Sequence, residues 1–221
     1  MKPSVPPLSP PNPSSDMPTR ERLIISGEYL IAVHGLDGMS LQEVCGLAGT
    51  SNRSAVQYHF GDREGLVRSI LEYRLPQINS RRDELLVEAG HDLYALVSAL
   101  MLPLAEDVEY GDSHYVGFLR KITMAGLVQE QYYDLDPRIN GSALECLERI
   151  GTILVPLPVA VVQQRLRTFL TSFPAVLEQR SAELLRGTAV SFEFFISDLL
   201  DSLVHMLSAP VSDRTRRHLP H

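Results

Sequence analysis

The chain has 221 residues, and its 20 Lys and Arg against 27 Asp and Glu give a formal net charge of −7. A surface this acidic repels phosphate as a whole, which excludes a histone-like polyanion binder and a polybasic membrane-surface protein. With 44% hydrophobic and 21% charged residues, the chain can bury the core of one large domain or two small ones.

The cysteines and the apolar stretches indicate the cellular compartment of the protein. Cys45 and Cys146 lie far apart, with no CxxC spacing and no accompanying His pair. They indicate a reducing compartment and no zinc site, and the spacing alone leaves one disulfide open. A signal peptide's apolar run is missing near the N-terminus, and the apolar stretch 150–162 is too short to span a bilayer at about 20 residues. We therefore expect a cytoplasmic protein with no membrane partner, metal or cofactor.

The two ends of the chain are predicted to be tails. Residues 1–18 contain seven prolines among serines, which favours a disordered or polyproline-like segment. A DNA-contacting arm is the alternative for this segment. Residues 211–221 form the second predicted tail.

The first helix is predicted to begin at Thr19, which can cap it, and to stop at His34 and Gly35. The second begins after Ser40, because Ser40-Leu-Gln-Glu43 is a capping box. Met39 and Val44 stand at the two positions of a hydrophobic staple beside it. This second helix should run from Leu41 to about Ala48, where Gly49 breaks it, with Cys45 on its core side.

The third predicted helix, residues 53–60, has only two internal apolar anchors, Val56 and Phe60. Most of its other side chains can form hydrogen bonds, which is typical of a helix whose exposed face binds another molecule. Gly61 and Asp62 should end it and cap a fourth helix near Arg63, whose apolar stripe is Leu66, Val67, Ile70 and Leu71.

Three helices in about 45 residues, with a tight Gly-containing turn between the second and third, predict a helix-turn-helix. The first two helices bury the back of the third, so its exposed face can enter a DNA major groove. Arg53 could bind guanine in a bidentate fork, and Asn52 or Gln57 could pair with adenine. The full predicted DNA-binding set is Gln42, Ser51, Asn52, Arg53, Ser54, Gln57, Tyr58, His59 and Arg63, with Tyr58, His59 and Arg63 as phosphate donors.

Residues 40–66 resemble the DNA-binding segment of the TetR family of transcriptional regulators. The resemblance is carried by Ala48-Gly49, by Tyr58-His59-Phe60 and by the Arg63-Glu64-Gly65-Leu66 sequence. Two features depart from the family pattern: the turn from Gly49 to Ser54 is one residue longer, and Gln57 stands where an aromatic residue is frequent. The resemblance implies an all-α homodimer that binds a palindromic operator, usually as a repressor, and is released by a small-molecule effector.

Charge is divided unequally between the two predicted domains. Residues 19–82 carry eight basic and seven acidic side chains, whereas residues 83–221 carry 11 basic and 19 acidic ones. The net charges are therefore +1 and −8. We expect a DNA-binding domain over residues 19–70 and an acidic effector-binding and dimerisation domain over residues 71–210.

The second domain is predicted to be helical over residues 91–108, 113–129, 137–154, 158–186 and 188–208, with Pro103 and Pro174 kinking their helices. Residues 106–112 and 129–136 are predicted to be loops. The apolar stripe of the last two helices predicts an intermolecular four-helix bundle, with an interface of Phe173, Leu177, Phe192, Phe195, Ile196, Leu199 and Leu203. The alternative is that this stripe only covers the domain's own core.

An effector pocket in the second domain is implied by the family resemblance. Its candidate lining residues are bulky and carry a polar or polarizable group: Tyr94, Met101, His114, Phe118, Met124, Tyr132 and Phe169. The identity of the effector is not indicated.

Two other classes of function compete with a regulator. An enzyme is not favoured, because the sequence has no GxSxG, HExxH or P-loop motif. A helical protein-interaction module, or a small-molecule-binding protein without DNA binding, would explain the apolar last helices. Either would leave the polar face of residues 53–60 without a purpose.

Overall fold

A computed structural model describes residues 9–50, 52, 54–126 and 135–220 of the chain, and all regular structure in these ranges is helical. The all-α fold class is therefore confirmed. The helices are α1 (Thr19–Gly38), α2 (Leu41–Leu47), α3 (Ala55–Phe60), α4 (Arg63–Ala89), α5 (Leu93–Tyr110), α6 (Tyr115–Met124), α7 (Pro137–Ile153), α8 (Val159–Arg186), α9 (Phe192–Ser208) and α10 (Asp213–Arg216). In the described ranges no helix is both long and apolar enough to cross a membrane.

The N-terminal unit consists of α1, α2, α3 and the first turns of α4, which pack on one another. Gly35 breaks α1 with a φ of 75°, as predicted, and a further helical turn continues to Gly38. Gly27 allows close packing of α1 on α4, because a Cβ at this position would lie 2.9 Å from the Leu66 side chain. The buried faces of α1 and α4 form the core beneath α2 and α3.

The start of α2 is formed as predicted. Ser40 and Glu43 make both halves of the capping box, with the Glu43 carboxylate accepting from the Ser40 backbone N–H at 3.2 Å. Met39 and Val44 are buried at the two staple positions. Cys45 is buried as expected, Cys146 is also buried, and the disulfide that the spacing left open is not formed.

Helix α4 runs without interruption from the N-terminal unit into the body formed by α5 to α9. In the body it packs on α5 and α7, while α8 packs on α5, α6 and α9. Helices α4, α5 and α8 continue through Pro76, Pro103 and Pro174 respectively. The body also contacts α1 directly, through α6.

Several predicted boundaries were wrong by a few residues. Helix α3 begins at Ala55 rather than 53, α6 begins at Tyr115 and ends at Met124, and α9 begins at Phe192. The end of α6 is explained by Gly126, whose φ of 79° does not continue a helix. The predicted C-terminal tail contains the short helix α10, and Val211 before it is buried.

The prediction of a loop over residues 106–112 was also wrong, since α5 continues to Tyr110. The acidic side chains that suggested a loop are held by arginines from other helices. Glu106 pairs with Arg81 of α4 at 3.1 Å, and Glu109 pairs with Arg180 of α8 at 2.9 Å. The predicted loop 129–136 lies mostly outside the described residues.

A fully buried carboxylate, Glu28 of α1, joins three helices. Arg74 of α4 donates to it from Nε at 2.6 Å and from Nη2 at 2.9 Å, and the backbone N–H of His114, at the start of α6, donates at 2.8 Å. Burial lowers the pKa of Arg74, but the Glu28 carboxylate outweighs burial and leaves this pKa above its ordinary value. Burial likewise lowers the pKa of the His114 imidazole, and the Glu28 carboxylate offsets part of that effect.

We predict that Glu28→Gln lowers the free energy of unfolding by about 3 kcal/mol, because it leaves the Arg74 guanidinium without its counter-charge in a buried site. Urea unfolding followed by circular dichroism measures the change. Glu84→Gln is the matched control, since Glu84 pairs with Arg81 at the surface and should cost less than about 1 kcal/mol. Equal losses in the two variants would contradict the structural role of Glu28.

Candidate functional site

Helix α3 presents one face to the core and one to solvent. Ala55 and Val56 are buried, whereas Gln57 is exposed and the Tyr58 side chain is 83% exposed. An exposed tyrosine beside an exposed glutamine puts a hydroxyl and an amide on the outer face. This face can both donate and accept hydrogen bonds.

The C-terminal end of α3 is fixed by contacts with α1 and α4. The Arg20 guanidinium of α1 lies 5.5 Å from the centre of the Phe60 ring, and its Nη2 donates to Ser69 Oγ at 3.1 Å. Gly61 then turns the chain with a φ of 81°, and Asp62 caps α4 by accepting from the Gly65 N–H at 2.8 Å. Contacts with α1 and α4 therefore fix the position of α3 and of its outer face.

The remaining predicted DNA-binding residues differ in their surroundings. His59 is half-buried, and its ring packs edge-on against Tyr58 with 5.0 Å between ring centres. Asn52 is exposed, but its Oδ1 accepts from the Ser54 N–H at 3.0 Å and so shapes the turn before α3. Gln42, Ser54 and Arg63 are exposed. Ser51 and Arg53 lie outside the described residues.

A small apolar cavity of about 90 Å³ lies within the body, between α4, α5, α6, α7 and α8. Arg82 is the charged side chain among its lining residues. The lining consists of Leu75, Ile78, Arg82, Leu100, Leu104, Tyr115, Leu119, Thr123, Ala143, Leu144, Leu147, Leu170, Phe173 and Pro174. The cavity therefore offers hydrocarbon contacts around one cation.

The predicted pocket residues do not line this cavity. Met101, Phe118 and Phe169 are fully buried elsewhere in the core, Tyr94 and Met124 are exposed, and Tyr132 lies outside the described residues. His114 instead borders an open groove of about 500 Å³, where its Nε2 is 3.2 Å from the Ser9 carbonyl oxygen. As an effector-binding set these residues stay a prediction, and the cavity is lined mainly by aliphatic side chains together with Tyr115 and Phe173.

The sequence pattern alone did not single out Arg82 or Glu28. Both interrupt apolar stripes of their helices, and a charge at a core position of an amphipathic helix is the signal that could have found them. Their contacts required the fold, because Arg82 contacts Leu100 and Ser142, which are distant in the chain.

The predicted dimer interface faces mostly inward in the single chain. Phe173, Leu177, Leu199 and Leu203 are buried in the chain's own core, and Phe192, Phe195 and Ile196 are half-buried against it. The outer apolar side chains near α8 and α9 are different ones, Leu185, Val190 and Phe194. The inward residues are thus explained by intramolecular packing, and dimerisation itself stays a prediction.

Comparison with known proteins gives structural similarities only. No family model and no curated protein sequence matches the chain. A solved protein from Rhodococcus sp. assigned to the TetR family of transcriptional regulators is 20% identical, with a TM-score of 0.46 over 86% of this chain and 98% of that one. A protein from Mesorhizobium loti assigned to the same family is 18% identical, with a TM-score of 0.45 over 86% and 95%. A γ-butyrolactone receptor described as ArpA-like is 18% identical, with a TM-score of 0.40 over 73% and 97%.

We predict that Gly61→Ala destabilises the chain by about 2 kcal/mol, because only glycine adopts its positive φ without strain. A Cβ at this position has no neighbour within 4 Å among the described atoms, so the loss would report backbone strain and not a clash. Gly46→Ala is the matched control. Gly46 lies within α2 in open space, and the change should stabilise the chain by about 0.5–1 kcal/mol. Unfolding midpoints in urea show whether each variant is less or more stable than the wild-type chain. A Gly61→Ala protein as stable as the wild-type chain would contradict the strained turn.

Proposed function

We propose that the chain is a sequence-specific DNA-binding transcriptional regulator, a repressor that binds a palindromic operator as a cytoplasmic homodimer and is released by a small-molecule effector. Residues 19–70 are its DNA-binding domain, and residues 71–210 bind the effector and form the dimer. The main observation behind the proposal is that α3 exposes a polar face while its other face packs in a unit with α1, α2 and α4. The resemblance of residues 40–66 to TetR-family DNA-binding segments agrees with it.

The chemistry of this face suits the edges and backbone of a DNA duplex. The Gln57 amide offers a donor and an acceptor side by side, which matches the N6 and N7 atoms of adenine in the major groove. The Tyr58 hydroxyl and the Arg63 guanidinium, both exposed, suit phosphate oxygens. Because α3 has only six residues, one copy can read few base pairs, which is why we include a dimer in the proposal.

The decisive experiment selects bound fragments from a random duplex pool with the purified full chain at moderate salt. We expect enrichment of an inverted repeat, because two copies of α3 related by a two-fold axis read the same half-site in opposite directions. Recovery of no enriched repeat, with the dimer confirmed in the same sample, would refute the regulator proposal and favour a protein-interaction module.

Two substitutions separate base reading from phosphate contact. Gln57→Ala should cost about 1–3 kcal/mol on the enriched site, relax the preference at one position per half-site and leave the salt dependence unchanged. Arg63→Ala should weaken binding to all sequences alike and reduce the slope of log affinity against log salt by about one unit per protomer.

Arg167→Ala is the control for both, because Arg167 is an exposed arginine on α8, far along the chain from α3. Fluorescence anisotropy with enriched and scrambled duplexes at several salt concentrations gives all three comparisons. Equal behaviour of Gln57→Ala and Arg167→Ala on the enriched duplex would count against base reading by α3.

For the homodimer, we propose the outer surface of α9 and the end of α8, where the Phe194 ring is 62% exposed and Leu185 and Val190, a few residues earlier in the chain, are also exposed. We predict that Phe194→Glu shifts the chain from dimer to monomer in light scattering at micromolar concentration, because it places a charge in an apolar contact. Val87→Glu is the control, since Val87 is 85% exposed on α4. A wild-type chain that is monomeric at this concentration, or a Phe194→Glu chain that stays dimeric, would contradict this interface.

A further inference from the structure

The cavity in the body contains a buried cation that lacks a counter-charge. Arg82 is 2% exposed and borders the cavity. Its Nη1 donates to Asn79 Oδ1 at 2.5 Å and to Ser142 Oγ at 3.4 Å, and its Nη2 donates to the Leu100 carbonyl at 3.5 Å. All three acceptors are neutral, two of the bonds are long, and Nε has no partner within the described part of the chain.

The two other deeply placed arginines show what this side chain can hold. Arg74 binds the Glu28 carboxylate along its Nε and Nη2 edge at 2.6 and 2.9 Å. Arg180 binds the Glu109 carboxylate along the same edge, at 2.9 Å for both nitrogens. This is the side-on bidentate geometry of strong arginine–carboxylate pairs. On Arg82 this edge carries only the 3.5 Å bond from Nη2.

The described surroundings of Arg82 do not supply an anion. In the ranges that the structure covers, no carboxylate lies within 4 Å of its guanidinium. The nearby Cys146 is no substitute, because burial raises the pKa of its thiol to about 11 and keeps it neutral at pH 7. A buried charge that is not paired is costly, so an anion that reaches Arg82 gains a strong contact.

The rest of the cavity determines the polarity and size of the anion that can bind there. Its walls are mainly leucine side chains, with Tyr115 and Thr123 as the uncharged polar residues, and this lining favours hydrocarbon and disfavours further charge. At roughly 10–15 Å³ for each water-sized group, a volume of about 90 Å³ accommodates about six to nine non-hydrogen atoms.

We propose that this cavity binds a small apolar monocarboxylate, with its carboxylate against the guanidinium of Arg82 and its hydrocarbon body among the leucines. The inference rests on the proposed function, because it names the chemical class of the effector. A neutral molecule of the same shape fills the same space but leaves Arg82 without an anion. Selectivity for the carboxylate over its neutral counterpart is therefore the property that defines the site.

The test uses hexanoate and hexanamide as probes, since the two have the same size and differ in charge. Isothermal titration calorimetry on the full-length wild-type chain at pH 7.5 should give a dissociation constant at least about tenfold lower for hexanoate. Equal affinity for the two probes, or no binding of hexanoate, would overturn the proposal.

Three variants locate the site. Arg82→Gln should remove the preference for hexanoate, whereas Arg167→Gln, which changes an exposed arginine, should keep it. Ala143→Leu should abolish binding of both probes, because it fills the cavity and leaves Arg82 in place. Where Arg82→Gln does not fold, the wild-type comparison and Ala143→Leu still decide the question. Hexanoate binding that survives Ala143→Leu in the folded variant would place the ligand elsewhere and refute the assignment.

The duplex selection tests the regulator proposal and the hexanoate titration tests this inference, so either can fail without the other. An enriched repeat together with no hexanoate binding would overturn the effector class alone. Carboxylate-selective binding that depends on Arg82, with no enriched repeat, would overturn the regulator and leave a carboxylate-binding protein.

Discussion

The buried carboxylate of Glu28 determines how the two parts of the molecule meet. It belongs to α1, in the unit that carries α3, yet its donors come from α4 and from the start of α6. A carboxylate removed from water must have its oxygens bonded, so these three helices can move relative to one another only by breaking strong hydrogen bonds. The orientation of the α3 face relative to the body is therefore set by electrostatics as much as by apolar packing.

The proposed ligand site shares helices with this junction. Arg82 lies two turns further along α4 than Arg74, and Tyr115 of the cavity wall follows His114 directly. An occupant of the cavity thus contacts the same α4 and the same first turn of α6 that hold Glu28. Under the proposed function, a ligand changes DNA affinity only so far as it binds the two arrangements of α4 and α6 unequally.

Local signals in the sequence predicted the N-terminal unit well. The Ser40 capping box, the Met39 and Val44 staple and the Gly61–Asp62 turn each depend on residues a few positions apart, so the pattern contains the whole interaction. The body was predicted less well where contacts are long-range. The pair of Glu109 with Arg180 keeps α5 helical through an acidic run that resembled a loop, and its partners are 71 residues apart. Glu28 and Arg82 were missed for the same reason, and the cavity was missed because side-chain type does not predict where space remains.

Most of the described arginines in the N-terminal region make contacts within the molecule. At least five of the described arginines in residues 19–82 make intramolecular contacts: Arg20 on Phe60, Arg22 with Thr19, Arg74 with Glu28, Arg81 with Glu84 and Glu106, and Arg82 with Asn79 beside the cavity. In the described part of this region, Arg20 of α1 and Arg63 and Arg68 of α4 are exposed. Each phosphate contact contributes about 0.9 to the salt slope, so a protomer with so few exposed cations can gain little sequence-independent affinity. Under the proposed function, hydrogen bonds from the α3 face, doubled by a second copy, would therefore have to supplement the phosphate contacts of a chain with a net charge of −7.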